Sequence, residues 1–592
     1  MQTAVYRLWM APGRYWLSVL VLVLATTVAY SVFLSPYVRS FHIMADDFAL
    51  VLNSARQYHR DPALWVTRGY TSYFVDFPDL PPASTFPGHR TDFCRPMVNA
   101  TFWLESLLCP GTGSLNLATN LLGLVITLIF FMLFARRETG GNILFLSSTL
   151  IVYAFSPIWY EAVMLPAFRG SLLMVLFALA AFLLLPPEGA PRQGLRIALS
   201  VLCQLASLLS HETGIATPVI AALLFTLRRD GSLARSRLKL VPLFFLPLLC
   251  FGALRWTFYG GLGHANVLGG WLRMGVTGAM VLLAKPFFPW DAGRVTNGQL
   301  SPRAVIAALM NLGGYALVAY ALVRPGRSGR KPLLRVLFCL GAALGVLWAT
   351  PRARYMQLAA VFGALAAIVA VEQIRVDARR PWVRRGVALA LVGLAFGQLL
   401  IYATSFPPMV AEYEADNRLA RVEFEGLQGA IAAARVPTLL LVNDEAGYWG
   451  SQAMLEMAAW PNRGRVRRLI TVDSFLGEGS PQSSVNISRK NEAAVIDILA
   501  GPGQHFYFAL VNLNQLGSKF VNQGLGYEMD TVRSYSFTGR FLRHLGQKVD
   551  PDNVDTGRRL RVTVPPEVAR DGLLIVGFDP RDMSWFSKEL LR

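Results

Sequence analysis

Eleven long apolar stretches constrain the fold of this chain more than any other feature of its sequence. About 20 apolar residues cross the hydrocarbon core of a bilayer as an α-helix, because unpaired backbone polar groups cannot remain in hydrocarbon. The stretches therefore predict an all-α polytopic membrane domain. The first stretch is too long to be a signal peptide, and it lacks the cleavage site of small residues that a signal peptide has. The stretches are Tyr15–Pro36, Leu115–Phe134, Asn142–Trp159, Gly170–Leu185, Leu195–Leu209, Gly214–Leu227, Leu240–Leu254, Ala304–Val323, Leu333–Trp348, Tyr355–Val371 and Gly386–Tyr402.

The positions of the basic residues predict the orientation of these spans. The net charge is +19, and arginine and lysine recur in the short loops after alternate stretches. Short loops of this composition stay in the cytoplasm. Arg7 and Arg14 precede the first stretch, so the N-terminus is predicted to be cytoplasmic. The basic excess is thus a topology signal and implies no nucleic-acid partner.

A twelfth apolar segment, Met274–Phe288, is ambiguous in length and polarity. If it crossed the membrane, the strongly basic run Arg324–Arg335 would lie outside, against the charge rule. We therefore predict that Arg255–Arg303 is an outer loop whose middle lies in or on the membrane. The chain then has about eleven spans, with the N-terminus inside and the C-terminus outside.

The predicted organisation is a transmembrane domain over residues 1–404 and a small extracytoplasmic α/β domain over residues 405–592. A first outer loop is expected over residues 37–114, and the outer loop with the membrane-associated segment over residues 255–303. The C-terminal region alternates short apolar runs with helical patterns, as in an α/β domain. Its apolar runs are Thr438–Val442, Ala453–Trp460, Arg468–Val472, His505–Leu513 and Gly572–Phe578.

Five cysteines in 592 residues exclude a disulfide scaffold, and a charged fraction of 16% excludes a disordered chain. Cys94 and Cys109 share the first outer loop, where a disulfide and two free thiols are both open alternatives. No Cys/His cluster has metal-ligand spacing, and neither a phosphate-binding glycine loop nor a Ser/His/Asp signature occurs in the sequence.

The most informative pair of residues is Asp46-Asp47, about ten residues beyond the first stretch. Adjacent carboxylates repel each other, and partial burial at a membrane surface would raise at least one of their pKa values. A raised pKa suits a general base that works near neutral pH. The alternative is a solvated acidic turn or a helix N-cap.

Further ionisable residues fall in the loops that the topology places on the same outer face. Several cations beside a carboxylate pair, at the level of the lipid headgroups, favour a binding site for a lipid phosphate. The alternative for each cation taken singly is that its side chain extends to the headgroups of ordinary phospholipids. Ser210-His211-Glu212-Thr213 interrupts apolar sequence between two spans, where ionisable groups are functional candidates, although helix capping by Glu212 is the simpler account. The set comprises Arg95, Glu161, Arg169, His211, Glu212, Arg255, Lys285, Arg294 and Arg354.

The order of these motifs resembles the GT-C superfamily of polyprenyl-phosphate-sugar-dependent membrane glycosyltransferases, and within it the protein O-mannosyltransferase-like and related bacterial enzymes. The resemblance covers roughly residues 15–405. His211 stands where the family motif has lysine. The matching pieces are Asp46-Asp47, Arg95-Pro96 leading to Asn120, Pro157 through Glu161 to Arg169, Ser210-His211-Glu212-Thr213 and Arg354-Tyr355.

The resemblance implies an inverting transfer of a hexose or pentose from a polyprenyl-phosphate donor to an acceptor hydroxyl on a glycan, a lipid-linked glycan or a protein. Asp46 and Asp47 would be the catalytic pair, with Asp46 as the general base. No cofactor is expected, and a divalent ion on the acidic pair is the less favoured alternative. Arg255, Lys285, Arg354 and Arg169 would bind the donor phosphate, and Glu161, His211, Glu212 and Arg95 the substrate.

Two other functional classes compete with this interpretation. A multi-span lipid or glycan transporter or flippase would place charges near mid-span, in two related halves of the chain. The charges here lie at the predicted outer ends of the spans, and we find no half-repeat. A sensor or scaffold whose C-terminal domain binds a partner would leave Asp46 and Asp47 dispensable.

Overall fold

A computed structural model describes the following parts of the chain: residues 12–40, 95–108, 114–139, 143–187, 192–228, 232–259, 302–323, 330–347, 356–377, 380–433 and 435, and ten strands between residues 438 and 590. The chain forms two compact units, with a boundary between Tyr413 and Glu414.

The first unit is helical throughout its described length. Helix α13 continues past Tyr402, where the last predicted span ends, and contains Pro407 and Pro408. Helix α2 lies within the predicted first outer loop. The helices are α1 Pro12–Ser40, α2 Pro96–Leu108, α3 Ser114–Thr139, α4 Ile143–Ala154, α5 Tyr160–Met164, α6 Arg169–Leu184, α7 Gln193–Leu208, α8 Ala216–Thr226, α9 Leu246–Tyr259, α10 Pro302–Val323, α11 Arg330–Leu347, α12 Gln357–Asp377 and α13 Pro381–Ala433, with 3₁₀ turns at Pro157–Trp159, Pro166–Phe168, Glu212–Ile215 and Arg235–Phe245.

Each of the eleven predicted apolar stretches overlaps a helix, so the prediction of a helical fold for this region is confirmed. Within the described residues, four helices are long and apolar enough to cross a membrane: Leu115–Thr139, Arg235–Thr257, Gln357–Arg375 and Pro381–Ala415. Pro157–Met164 and Arg169–Leu184 make a fifth if their pair, bent by 117°, counts as one span. These helices identify a membrane protein, while the number of eleven spans stays a prediction.

Helix α1 illustrates why these segments suit a bilayer. One face, with Val19, Val23 and Tyr30, is buried against the bundle. The opposite face exposes equally apolar side chains, including Leu20 and Leu24 at 53% each. A helix that is apolar on both faces is unstable against water, because a large apolar patch remains exposed, but it is stable against hydrocarbon.

Arginines of the predicted cytoplasmic loops satisfy the last carbonyl groups of two short helices. At the end of α6, Arg137 donates to the Phe182 and Leu183 oxygens at 2.7 and 3.0 Å, and Arg196 Nε donates to Leu184 at 3.2 Å. At the end of α8, Arg237 and Arg335 donate to Phe225 and Leu224 at 3.0 and 2.9 Å. Helix C-terminal carbonyls lack intrahelical donors and attract cations. The basic loops therefore also stabilise the helix ends.

The segment between α4 and α6 leaves backbone carbonyls that side chains of other helices satisfy. Tyr30 donates its hydroxyl to the Ala154 oxygen at 2.8 Å, and Gln398 donates Nε2 to the Phe155 oxygen at 2.6 Å. Gln357, at the start of α12, donates to the Ile158 oxygen at 3.2 Å. Because an unpaired carbonyl group in an apolar interior is costly in free energy, these hydrogen bonds stabilise the segment between α4 and α6.

The described part of the second unit beyond α13 consists of two sheets. The first has the order β10-β9-β1-β2, with β1 parallel to both β2 and β9. In the second, β8 pairs antiparallel with β5, β6 and β7. The strands are β1 Thr438–Val442, β2 Arg468–Val472, β3 Phe475–Leu476, β4 Ser484–Lys490, β5 Ala493–Leu499, β6 Phe506–Ala509, β7 Gly526–Ser534, β8 Val554–Val564, β9 Leu573–Asp579 and β10 Ser584–Leu590.

Four of the five predicted apolar runs overlap a strand, and the fifth, residues 453–460, lies outside the described residues. Parallel neighbours such as β1 and β2 need a crossover connection, which is usually a helix. The residues between β1 and β2 also lie outside the described part. The α/β class of this domain therefore stays a prediction.

Candidate functional site

An arginine–glutamate pair joins two distant segments of the first unit. Arg95 lies directly before α2, and its Nε and Nη2 donate to Glu212 Oε2 at 3.1 and 2.9 Å. Arg95 is 7% exposed, and the Glu212 side chain 26%. The backbone supports the same junction, because the Met97 amide donates to the Leu209 carbonyl at 3.1 Å. The first predicted outer loop is thus attached to the turn after α7.

The turn after α7 is built by residues that the sequence analysis selected. His211 is its N-cap, and the Thr213 amide donates to His211 Nδ1 at 3.3 Å. Because Nδ1 accepts a hydrogen bond, neutral His211 carries its proton on Nε2. A Cβ at Gly214 would lie 2.8 Å from the Ser207 carbonyl oxygen, so only glycine allows this close approach. The turn fixes the direction of Glu212.

Arg255, on α9, belongs to a third segment that meets this turn. Its side chain is buried, at 1% exposure, with Nη1 3.9 Å from Glu212 Oε1 and the guanidinium 5.7 Å from the centre of the Phe251 ring. Leu208 and Phe251 are both buried and belong to one apolar cluster. This packing holds Arg255 beside the turn. Glu212 therefore lies between two guanidinium groups.

The start of α6 adds a fourth segment to the same place. A Cβ at Gly170 would lie 2.7 Å from the Ser210 carbonyl oxygen and 3.5 Å from Cδ of Arg95. Such a contact with backbone would force the turn to move. The four segments that contain Arg95, Gly170, Glu212 and Arg255 thus meet at one point of the fold.

Among the described residues, this meeting point contains two arginines and one carboxylate. Glu212 lies in the turn before the apolar segment that begins at Gly214. Burial of its carboxyl group by itself would raise the pKa. The Arg95 guanidinium acts in the opposite direction, and the net pKa of Glu212 lies below its ordinary value. Glu212 is therefore ionised at neutral pH.

Arg169, which the sequence analysis places on the outer face, has a side chain that is buried at 1% exposure. Its Nη1 lies 2.8 Å from Glu105 Oε1 and donates to Thr101 Oγ1 at 2.9 Å. Its Nε donates to Asn120 Oδ1 at 2.6 Å, and its Nη2 to the Asn116 carbonyl at 3.0 Å. A guanidinium used in this way links α2, α3 and α6. These contacts account for the burial of Arg169, and its contact with the donor phosphate stays a prediction.

Of the remaining predicted residues, some lie within the described part of the chain and others lie outside it. Glu161 is half-buried on α5. Gln357, three residues after Arg354, contacts Ile158 and donates to Ser171 Oγ at 3.0 Å, so α12 begins beside the start of α6. The predictions for Asp46, Asp47, Lys285, Arg354, Cys94 and Cys109 fall outside the described residues.

The sequence analysis missed three partners of Arg169, namely Glu105, Thr101 and Asn116. Glu105 is the only acidic residue between Asp92 and Glu138, within a segment that was predicted to be a loop. An isolated carboxylate among apolar residues is a signal for a buried ion pair. Asn120, which the sequence analysis did select, is buried beside it.

The described residues contain no group of three or more His, Cys, Asp or Glu side chains that could hold a metal ion. Asp46 and Asp47, where the less favoured alternative would place a divalent ion, lie outside the described residues. Metal independence therefore stays a prediction.

Comparisons with known proteins add the following findings. No family model and no curated protein matches the chain. Among solved structures, the Archaeoglobus fulgidus oligosaccharyltransferase, in complex with zinc and sulfate, is similar at 13% identity and a TM-score of 0.36, over 64% of this chain and 54% of that one. The chain thus spans about half the length of that protein.

ArnT from Cupriavidus metallidurans is similar in two states. Bound to undecaprenyl phosphate, it is 14% identical with a TM-score of 0.41, over 81% of this chain and 97% of ArnT. In the apo state the identity is 14% and the TM-score 0.39, over 93% and 98%.

Proposed function

We propose that this protein is an integral membrane glycosyltransferase that transfers a sugar from a polyprenyl-phosphate donor to an acceptor hydroxyl on the outer face of the membrane. One observation carries the proposal: Arg95, Gly170, Glu212 and Arg255, from four segments far apart in sequence, meet in one cluster that brings two arginines and a carboxylate together among the described residues. Each segment adjoins a loop that the charge rule predicts to be on the outer face. A buried cation at a helix end in such a protein suits a lipid-linked phosphate.

The proposed reaction is a single inverting displacement. Asp46 accepts the proton of the acceptor hydroxyl, the oxygen forms a bond with the anomeric carbon, and the bond from that carbon to the phosphate oxygen breaks. Polyprenyl phosphate leaves with the electron pair. Negative charge that develops on it is stabilised by fixed cations, for which we propose Arg255, Lys285 and Arg354. Asp47, Glu161, His211 and Arg95 orient the substrates or the charged groups.

The proposed location is the inner (plasma) membrane, with several spans, a cytoplasmic N-terminus and an extracytoplasmic C-terminal domain. A single cysteine at Ser328, in a variant whose five native cysteines are replaced by alanine, tests the orientation. We expect a membrane-impermeant maleimide to label this position only after the cells are opened. Labelling of intact cells would overturn the predicted topology, because it would place the basic run Arg324–Arg335 outside.

The activity is tested with purified protein and a series of undecaprenyl-phosphate sugars, by following the release of undecaprenyl phosphate. Asp46→Asn is expected to reduce turnover at least about a hundredfold, as for the loss of a general base. Asp61→Asn, in the same predicted loop and without an assigned role, is the matched control. Full turnover in Asp46→Asn would contradict the assignment of the base. Absence of release from every donor by the wild type would contradict the function.

The acceptor is identified by comparing envelope glycans from cells with and without the gene. If cells without the gene lack one sugar on a polysaccharide, a lipid-linked glycan or a protein, this loss identifies both the transferred sugar and the class of acceptor. Unchanged glycans together with altered movement of a polyprenyl lipid across the membrane would instead favour a transporter.

A further inference from the structure

The side-chain amide of Gln357, at the start of α12, uses both of its N–H groups inside the first unit. The residue is fully buried, and Nε2 donates to the Ile158 carbonyl oxygen at 3.2 Å and to Ser171 Oγ at 3.0 Å. The Ser171 hydroxyl donates its own hydrogen to the Phe168 carbonyl oxygen at 2.9 Å, so it can only accept from Gln357. The network therefore fixes one orientation of the Gln357 amide.

These hydrogen bonds attach the start of α12 to two other elements. Ile158 lies in the 3₁₀ turn before α5, and Ser171 lies in the first turn of α6. Met356, directly before α12, is fully buried as well, and its carbonyl oxygen accepts from the Ala360 amide at 2.7 Å. Packing and hydrogen bonds thus set the position of the chain where α12 begins.

Arg354, to which the proposed function assigns a contact with the leaving phosphate, precedes this fixed point in the sequence. It comes two residues before Met356 and three before Gln357. Two residues of extended chain span at most about 7 Å. The contacts that hold Met356 and Gln357 therefore limit where Arg354 can be, although Arg354 itself lies outside the described residues.

The other end of the network reaches the cluster around Glu212. Ser171 follows Gly170 directly, and a Cβ at Gly170 would lie 2.7 Å from the Ser210 carbonyl oxygen and 3.5 Å from Arg95 Cδ. Ser210 comes two residues before Glu212, which accepts two hydrogen bonds from Arg95. The start of α12 and the cluster thus belong to one continuous packed region, in which a shift at one place is felt at the next.

We propose that Gln357 is a positioning residue that holds Arg354 on the side of the fold where Arg95 and Glu212 meet. The inference rests on the proposed function, in which Arg354 stabilises the charge that develops on polyprenyl phosphate. Such a cation is effective only when it is fixed where the charge develops, and a displacement of about 1 Å can lower the rate by about a hundredfold. Gln357 acts through Arg354 and takes no part in a covalent step.

The test compares Gln357→Ala with Gln373→Ala in the full-length protein, with undecaprenyl-phosphate sugars as donors. Gln373 is the matched control, because it lies on the same helix, is buried at 6% exposure and donates Nε2 to the Ala321 carbonyl oxygen at 2.8 Å. Both variants should lower the melting temperature. We expect only Gln357→Ala to lower kcat, by about tenfold with less than about a twofold change in KM, because the phosphate charge develops in the transition state.

A double-variant cycle with Arg354→Gln identifies the residue through which Gln357 acts. Arg354→Gln alone should lower kcat at least as much as Gln357→Ala does. In the Arg354→Gln background, Gln357→Ala should change kcat by less than about twofold, since no cation remains to be positioned. Ser171→Ala removes one of the two acceptors of the Gln357 amide and should act in the same direction and with the same dependence on Arg354.

The outcomes separate the two proposals. If the wild type releases undecaprenyl phosphate from none of the donors, the proposed function fails and the inference falls with it. If the wild type is active and Arg354→Gln is equally active, the function stands and the inference is overturned. The inference is also overturned if Gln357→Ala lowers kcat no more than Gln373→Ala, or lowers it equally with and without Arg354. If Gln357→Ala does not fold, Ser171→Ala is judged by the same two criteria.

Discussion

Arg95 donates two hydrogen bonds to a single oxygen, Oε2, of Glu212, which lies 117 residues further along the chain. The contact connects the residue before α2 with the turn after α7 and leaves Oε1 directed towards Arg255 at 3.9 Å. This pair thus combines a structural role, the attachment of two segments, with an electrostatic one.

The first prediction concerns the coupling of this pair. Arg95→Gln or Glu212→Gln alone leaves a charge without its partner in a mostly buried site, and we expect each to destabilise the protein by about 2–3 kcal/mol. The double variant should lose less than the sum of the two. Thermal unfolding midpoints of the four proteins in one detergent provide the measurement, and strictly additive effects would contradict the coupling.

The second prediction concerns Arg169. Lysine keeps the charge but cannot reproduce contacts with Glu105, Asn120, Thr101 and the Asn116 carbonyl at once. Arg169→Lys should therefore lower stability by about 2–4 kcal/mol. Arg418→Lys, at a side chain that is 69% exposed, is the control and should have little effect. A midpoint for Arg169→Lys equal to the control would show that the buried contacts are not needed.

The third prediction compares two glycines. Gly170→Ala places a methyl group 2.7 Å from the Ser210 carbonyl oxygen, whereas Gly194→Ala on α7 meets nothing within 4 Å. We expect Gly170→Ala to displace the turn that carries Glu212 and to reduce both stability and turnover. Gly194→Ala should be neutral or stabilising by up to about 1 kcal/mol, because alanine favours the helix. The comparison fails if both variants have the same melting temperature and activity.

The fourth prediction concerns pH. The folded-state pKa of Glu212 lies below the ordinary 4.5 of a glutamic acid, because the upward effect of burial is outweighed by the sum of the charges of Arg95 and His211 and the hydrogen bonds to the carboxylate. A lowered pKa contributes stability that is present above the unfolded-state value and is lost as the pH falls through the folded-state value. We expect the melting temperature of the wild type to fall more steeply than that of Glu212→Gln below about pH 5. Parallel curves would contradict the ionised state of Glu212.

Some of the site could be predicted from local sequence. Ser210-His211-Glu212-Thr213 interrupts an apolar region, and polar residues at such a place are expected in a turn between two helices. Asn120 within an apolar helix likewise indicated a buried polar contact, and the structure supplies Arg169 as its partner. In both cases the cost of placing a polar group in an apolar environment makes the residue informative.

Other features had no local signal. Arg169 follows a loop and precedes an apolar helix, a pattern that fits an interfacial arginine equally well. Its burial depends on Glu105 from another helix, and no spacing rule links residues 64 positions apart. The role of Gly170 likewise arises only when the turn at Ser210 packs against it.

The sequence by itself determined that this is a helical membrane protein, because long apolar runs leave a chain few other ways to satisfy its backbone in a bilayer. It also determined which ionisable residues were candidates, through their position at the ends of those runs. Only the tertiary structure decided which candidates meet: Arg95, Glu212 and Arg255 form one cluster, while Arg169 turns into the bundle. Apolarity is a property of each segment, whereas ion pairing depends on distances between segments, and those are set by packing.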